Sequence, residues 1–192
     1  MNKIEKSVKI LNDGGIIIFP TDTAFGIGCR IDRSPAIKKL FKIRKRPKSQ
    51  AVPVLVGNIE MAKEYAENIS GDILEKLIKI YWPGALTIIL PSRKEKVDSL
   101  VRGGGETVGL RMPDNKEILE VIQKVGVPIL GPSANFHGES TPFRIEDLDK
   151  NLIKLADFVL DGECSLKNAS TVIDCTVSPW KVLRKGAIDI KI

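Results

Sequence analysis

The chain is punctuated by short, continuously apolar runs: IIIF at 16–19, VPVLV at 52–56, LTIIL at 86–90 and VPIL at 127–130. FVL at 158–160, TVIDC at 171–175 and KVL at 181–183 follow, and TVGLRM at 107–112 has the same β-branched character. Runs of this length, bounded by Gly, Pro or polar residues, read as strands, and those without apolar/polar alternation call for cover on both faces. Segments with helical spacing lie between them. Ile4, Val8 and Leu11 precede Gly14 and Gly15. Ser34 and Pro35 read as the N-cap and first turn of a helix whose apolar face is Ile37, Leu40 and Phe41 and which Pro47 ends. Over 114–125, Asp114 with Glu117 reads as a capping box, Ile118, Leu119, Ile122 and Val125 face inward, and Gly126 with Pro128 stops the helix. Strands alternating with helices predict an α/β fold: a single-domain, twisted mixed sheet with flanking helices. Short connections near the C-terminus predict that some strand pairs there are antiparallel.

Length supports one domain spanning 1–192, since 192 residues bury one sizeable core. A chain that is 43% hydrophobic and 28% charged has the balance of a globular protein rather than a disordered one. No apolar run approaches the roughly 20 residues needed to span a bilayer, and the first fifteen residues are charged, so the expectation is a cytoplasmic protein without a membrane partner. Cys29, Cys164 and Cys175 lack CxxC spacing, which leaves no disulfide framework and no zinc site to expect.

Several chemistries are excluded by what the sequence lacks. There is no GxxxxGK[ST] and no GxGxxG after a strand. With His137 the only histidine, a metal centre built on several imidazoles is impossible, and no resident metal is expected. The polar residues that remain gather at strand ends: PTDT at 20–23, RKRP at 44–47, RGGGETVGLR at 102–111, GPSAN at 131–135, AST at 169–171, and Arg184 in LRKG. Hydroxyls, an amide and arginines suit the holding of carboxylates and phosphates rather than the moving of protons. Transfer at phosphorus fits such a set, because it relies on positioning and charge stabilisation. Each stretch alone also has a plainer reading. GPSAN is compatible with a Ser or Asx turn, PTDT and GGG with simple turns, and Trp82 and Trp180 with packing. A net charge of +6 and seven cations between Lys38 and Lys48 are compatible with a nucleic-acid or polyphosphate ligand and equally with a solubilising surface; any binding of tRNA through them is expected to be weak and salt-sensitive.

PTDTAFGIGC, RKRP, WPGALTIIL, VGLRMP, GPSANFHG, STVID and LRKGAI occur in an order and spacing that resemble the YrdC-like L-threonylcarbamoyladenylate synthases, over about residues 7–188. The resemblance is to the short form of the family, with a single YrdC-like domain. It implies a YrdC-like fold and a nucleotidyltransferase that joins L-threonine, bicarbonate and ATP, with Mg2+ accompanying the ATP, into threonylcarbamoyl-AMP and pyrophosphate. A separate tRNA threonylcarbamoyl transferase then uses the product to modify the adenosine beside the anticodon. Carried over residue by residue, Thr23, Arg111, Ser133 and Ser170 match positions that hold threonine or its carboxylated form. Arg46, Gln50, Thr107, Asn135 and Arg184 match nucleotide positions, and Arg44, Arg46, Ser133 and Asn135 form the catalytic group. Many members carry lysine where this chain has Arg44; the neighbouring Lys45 and Arg46 keep the site cationic, so exchange of Arg44 for lysine is expected to be tolerated. Two other readings are a YrdC-like paralogue that keeps a nucleotide pocket for another carbamoyl-related role, and a nonenzymatic RNA-binding module using residues 38–48. Base stacking is a poor main mode for the latter, since only 5% of residues are aromatic.

Overall fold

The computed structural model describes residues 1–191; Ile192, the last residue of the expected domain, lies outside the described residues. The strands are β1 (Ile17–Phe19), β2 (Gly26–Gly28), β3 (Val54–Leu55), β4 (Leu86–Pro91), β5 (Thr107–Arg111), β6 (Ile129–Leu130), β7 (Phe158–Val159), β8 (Thr171–Asp174) and β9 (Lys181–Arg184). The helices are α1 (Lys3–Asn12), α2 (Ser34–Ile43), α3 (Ile59–Lys63), α4 (Gly71–Ile73), α5 (Lys79–Tyr81), α6 (Lys116–Val125) and α7 (Lys150–Leu155). A π turn over Leu74–Ile78 joins α4 to α5.

Two hydrogen-bonded sheets, β2-β1-β7 and β6-β3-β5-β4-β8-β9, run into each other along β2 and the segment around β6. Ile27 N donates to Pro132 O at 2.9 Å, Leu130 N to Cys29 O at 2.9 Å, and Ala134 N to Phe25 O at 2.8 Å. The seam depends on Gly28, where a Cβ would sit 1.8 Å from the Leu130 carbonyl oxygen. Pairing is mixed: β1–β7, β3–β5 and β4–β8 are parallel, whereas β1–β2, β3–β6, β4–β5 and β8–β9 are antiparallel.

One face of this sheet is half covered. Leu11 of α1 and Ile118, Val121, Ile122 and Val125 of α6 pack on Ile17, Phe19, Leu55 and Ile129, each buried side chain worth about 1.5–3 kcal/mol of transfer free energy. Leu55 lies opposite Arg111, and Ile89 opposite Gly109, while Thr87 lies opposite Val172. The period of two therefore places Arg111, Gly109, Thr107, Ile89, Thr87 and Val172 on that same face, beyond the helical cover. Ile89, Thr107 and Val172 are only half-buried there. The opposite face, with Ile18, Ile27, Val54, Ile88, Leu110 and Ile173, joins the larger core that includes Ile37, Leu40 and Phe41 of α2.

Local details correct the sequence reading at several points. Helix α6 is capped by Asn115, whose side chain accepts from Ile118 N, because the Asp114 N–H is drawn to the Asp22 carboxylate at 3.1 Å. At α2 the N-cap is Arg33, and Ser34 instead donates its hydroxyl to Asp98 at 3.0 Å. Strand β2 and the helical stretch from α4 to α5 have no counterpart in the apolar-run reading. Gly126 does end α6 in the left-handed region at φ 77°. Among the described residues no helix is long and apolar enough to cross a membrane.

Candidate active site

Where the helical cover of the sheet ends, a cavity of about 160 Å³ opens, lined by Thr21, Thr23, Thr87, Ser133, Thr141, Ser170 and four arginines, Arg44, Arg46, Arg111 and Arg184. No carboxylate is among its lining residues. A concave site with four guanidinium groups and a ring of hydroxyls is built for an anion.

The first wall is organised by Arg111 at the end of β5, which is 6% exposed. Its Nη2 forms a buried ion pair with Asp22 Oδ1, its Nη1 donates to Thr23 Oγ1 at 2.7 Å, and its Nε donates to the Gly84 carbonyl at 3.0 Å. Burial lowers the Arg111 pKa, the Asp22 charge opposes that shift, and Arg184 adds to it. Asp22 reaches this place because the chain turns sharply after β1, with Thr21 Oγ1 accepting from Thr23 N and Ala24 N, both at 3.2 Å.

Arg44 organises the second wall in a different way. Helix α2 closes with a Schellman arrangement: Arg46 N donates to Phe41 O at 3.0 Å and Lys45 N to Lys42 O at 3.1 Å, with Lys45 in the left-handed region at φ 51°. That reversal turns both Arg44 and Arg46 toward the cavity. Arg44 is 2% exposed. Its Nε donates to the Asn135 carbonyl at 3.1 Å and its Nη2 to Asn135 Oδ1 at 3.2 Å, while Nη1 has no partner. With no carboxylate against it, burial and then the charge of Arg46 pull its pKa down to about 10. A lysine at this position keeps the charge and three donors but loses the planar fork that matches the two oxygens of Asn135 here. The fork onto Asn135 is thus the feature that an exchange of Arg44 for lysine would remove.

A third group joins β8 to β9. Arg184 Nε donates to the Ser170 carbonyl at 2.9 Å and Nη2 to Ser170 Oγ at 3.0 Å, while Ser170 Oγ lies 2.9 Å from Thr87 Oγ1. Burial lowers the pKa of both Arg184 and Arg46.

Of the residues singled out from the sequence, Thr23, Arg44, Arg46, Arg111, Ser133, Ser170 and Arg184 meet at the cavity. Three do not line it. Gln50 is exposed on the turn after α2, where its carbonyl accepts from Arg46 Nε at 3.1 Å. Thr107 begins β5, four residues or about 13 Å along the strand from Arg111. Asn135 was expected to face the ligand beside Ser133, yet its amide is turned away and consumed: Oδ1 accepts from Ser133 Oγ at 2.6 Å and Nδ2 donates to Glu139 O at 2.6 Å. Sequence reasoning missed Asp22 and Thr87. Each left a signal, an acid between two threonines just past a buried strand and a lone hydroxyl inside LTIIL.

The three cysteines are unpaired, and burial pushes the Cys29 thiol up to about 12. Among the described residues no group of three or more His, Cys, Asp or Glu is placed to hold a metal ion.

Comparison with known proteins places the chain in a family. The family model Sua5_yciO_yrdC, described as Telomere recombination, matches residues 9–186. The chain belongs to the Sua5/YciO/YrdC family. It is 33% identical over 190 residues to the threonylcarbamoyl-AMP synthase of Bacillus subtilis, covering 97% of this chain and 54% of that protein. The crystal structure of P. abyssi Sua5 complexed with L-threonine is similar at a TM-score of 0.88 and 31% identity, over 96% of this chain and 54% of that one. E. coli YciO is similar at a TM-score of 0.86 and 28% identity, over 98% of this chain and 91% of that one. The chain thus has the YrdC-like fold, and it spans about half the length of the B. subtilis and P. abyssi proteins it matches.

Proposed function

We propose that the chain is an L-threonylcarbamoyladenylate synthase, forming threonylcarbamoyl-AMP and pyrophosphate from L-threonine, bicarbonate and ATP. The observation that carries this reading is the cavity itself: four arginines and a ring of hydroxyls with no lining carboxylate. The name of the B. subtilis relative and the threonine bound to P. abyssi Sua5 support it.

The chemistry needs little from the protein beyond charge and position. The neutral threonine amine adds to CO2 released from bicarbonate, the proton lost from nitrogen leaving with the bicarbonate hydroxide as water, and gives a carbamate that is already an anionic nucleophile. A carbamate oxygen attacks the α-phosphorus of ATP, the bond to the β-phosphate oxygen breaks, and pyrophosphate leaves with its electron pair. Holding two anions in line and stabilising the charge spreading over the phosphoryl oxygens is the work of preorganised guanidinium groups. In this reading Thr23, Arg111, Ser133 and Ser170 surround the amino-acid part, and Arg44, Arg46 and Arg184 face the phosphates. Ser170 and Arg184 are bonded to each other, so the two halves are mechanically joined. The cavity is too small for both substrates. The adenosine then extends beyond it, over the half-open sheet face that carries Thr107, with Gln50 at the rim. Magnesium enters as part of the ATP substrate, since the lining offers it no carboxylate.

The same reading makes the chain one YrdC-like domain over 1–192, acting in the cytoplasm and handing its product to a tRNA threonylcarbamoyl transferase. Direct contact with tRNA is limited to weak binding by the cations of 38–48. Pyrophosphate release tests the function: it is expected only when MgATP, L-threonine and bicarbonate are all present. ATP turnover that ignores threonine contradicts the reading and favours a paralogue with another carbamoyl-related role.

A further inference from the structure

Strand β4 (LTIILP) carries a single hydroxyl, Thr87, which is 5% exposed and lines the cavity. Valine has nearly the same shape and would serve the strand equally well if packing were the only demand. The Thr87 methyl is turned toward β5, where a Cβ at Gly109 would come within 3.3 Å of Cγ2, and Oγ1 faces the start of β8, meeting Ser170 Oγ at 2.9 Å. Register sets the other neighbours. Thr87 is opposite Val172, Val172 is opposite Arg184, and one step past the Ile88–Leu110 pair brings Thr87 alongside Arg111. Thr87 thus stands in a row across four strands with an arginine at each end. The two hydroxyls hold two protons, and one of them lies between the oxygens. Arg184 Nη2 donates to Ser170 Oγ at 3.0 Å, which makes that oxygen a poorer acceptor for a second proton and its O–H a better donor. Ser170 therefore donates to Thr87, and the Thr87 proton is left with no protein acceptor among the described residues. A buried donor without a partner carries a cost that an acceptor on a ligand removes.

We propose that Thr87 is a further ligand-binding residue, the end of a donor chain Arg184–Ser170–Thr87 that presents one proton to an anionic oxygen of the amino-acid substrate beside Arg111. A hydroxyl donor next to a guanidinium suits an oxygen that carries negative charge and no proton of its own. Ser170 then orients and polarises Thr87, and Arg184 acts on the amino acid through the two hydroxyls. This assignment rests on the synthase reading and goes beyond it by adding Thr87 to the site and by giving the direction in which the hydroxyl chain points.

The test compares the wild type with Thr87→Val, Thr87→Ser, Ser170→Ala and the double variant Thr87→Val/Ser170→Ala by pyrophosphate release, with KM read separately for L-threonine and for ATP. Thr87→Val keeps the shape and removes the donor. It should raise the KM for L-threonine about tenfold or more, the effect of losing one hydrogen bond to a charged group, and leave the KM for ATP within about threefold, because Arg184 keeps both bonds to Ser170. Thr87→Ser restores the hydroxyl and should return the KM for L-threonine to within about threefold of the wild type. Ser170→Ala should cost less than Thr87→Val, and the double variant should match Thr87→Val, since Ser170 acts through Thr87. If Thr87→Val does not fold, Thr87→Ala takes its place in the same comparisons. A Thr87→Val enzyme with a normal KM for L-threonine, equal rises for both substrates, or losses that multiply in the double variant overturns the inference and leaves the synthase reading standing. A wild type inactive on L-threonine contradicts the synthase reading and overturns this assignment with it.

Discussion

The two buried arginines that line the cavity, Arg111 and Arg44, are held by opposite means. Arg111 is neutralised by Asp22, a carboxylate 3% exposed, and also donates to the Thr23 hydroxyl and the Gly84 carbonyl. Arg44 has only the neutral oxygens of Asn135 against it and keeps one nitrogen unpartnered. A buried ion pair can persist in the absence of ligand. A buried cation without a countercharge carries a desolvation cost that an incoming anion removes. The Arg111 wall is thus a scaffold with some donors to spare, and the Arg44 wall is the part of the fold that gains most when an anion arrives.

The largest effect should separate the two walls by stability. Arg111→Met strands the Asp22 carboxylate and should cost about 3–5 kcal/mol in urea unfolding. Arg44→Met removes an uncompensated charge and should leave stability within about 1 kcal/mol of the wild type, or raise it. Equal losses would erase the distinction between scaffold and anion seat.

Next in size is the response to pyrophosphate. At about 100 times its dissociation constant it should stabilise the wild type by about 2.7 kcal/mol in thermal unfolding, and this gain should vanish in Arg44→Met. Its dependence on pH follows from Arg44, whose pKa is lowered to about 10. The folded protein releases that proton before the unfolded chain does, so this group's own contribution to stability rises above pH 10 while affinity for the anion falls. Between pH 7 and 9 binding should hold or rise as pyrophosphate itself loses protons and Arg44 stays charged. A decline already at pH 8 would point to another group.

The smallest of the three concerns Arg44→Lys, which keeps the charge and loses the fork onto Asn135. A fall of more than about tenfold in kcat/KM, about 1.4 kcal/mol, is expected with a normal melting curve. Retained activity would mean that charge alone suffices at this wall.

Legibility in the sequence followed chemistry that repeats along the chain. Strands β1, β4, β5 and β8 are runs of β-branched residues, and α6 carries its apolar positions at the right spacing, so both were visible. Strand β2 was not, because GIG owes its conformation to partners: Gly28 is there for the close approach of the Leu130 carbonyl, a fact about a residue a hundred positions away. The cap of α6 moved from Asp114 to Asn115 for a similar reason, the pull of Asp22 on a backbone N–H. In the site, motif blocks located Arg44, Arg46, Arg111, Ser133, Ser170 and Arg184. An arginine on a strand could be expected to pair with a structural carboxylate, but not that the acid is Asp22, nor that Asn135 turns its amide to Glu139, since both depend on who stands next to whom after folding.

The central claim is tested most directly by the product. Protein mixed with MgATP, L-threonine and 13C-bicarbonate, quenched and read by mass spectrometry, should yield threonylcarbamoyl-AMP one mass unit heavier than with unlabelled bicarbonate, in step with pyrophosphate. Pyrophosphate or AMP formed without any labelled threonylcarbamoyl adduct, or formed equally well without threonine, would contradict the account.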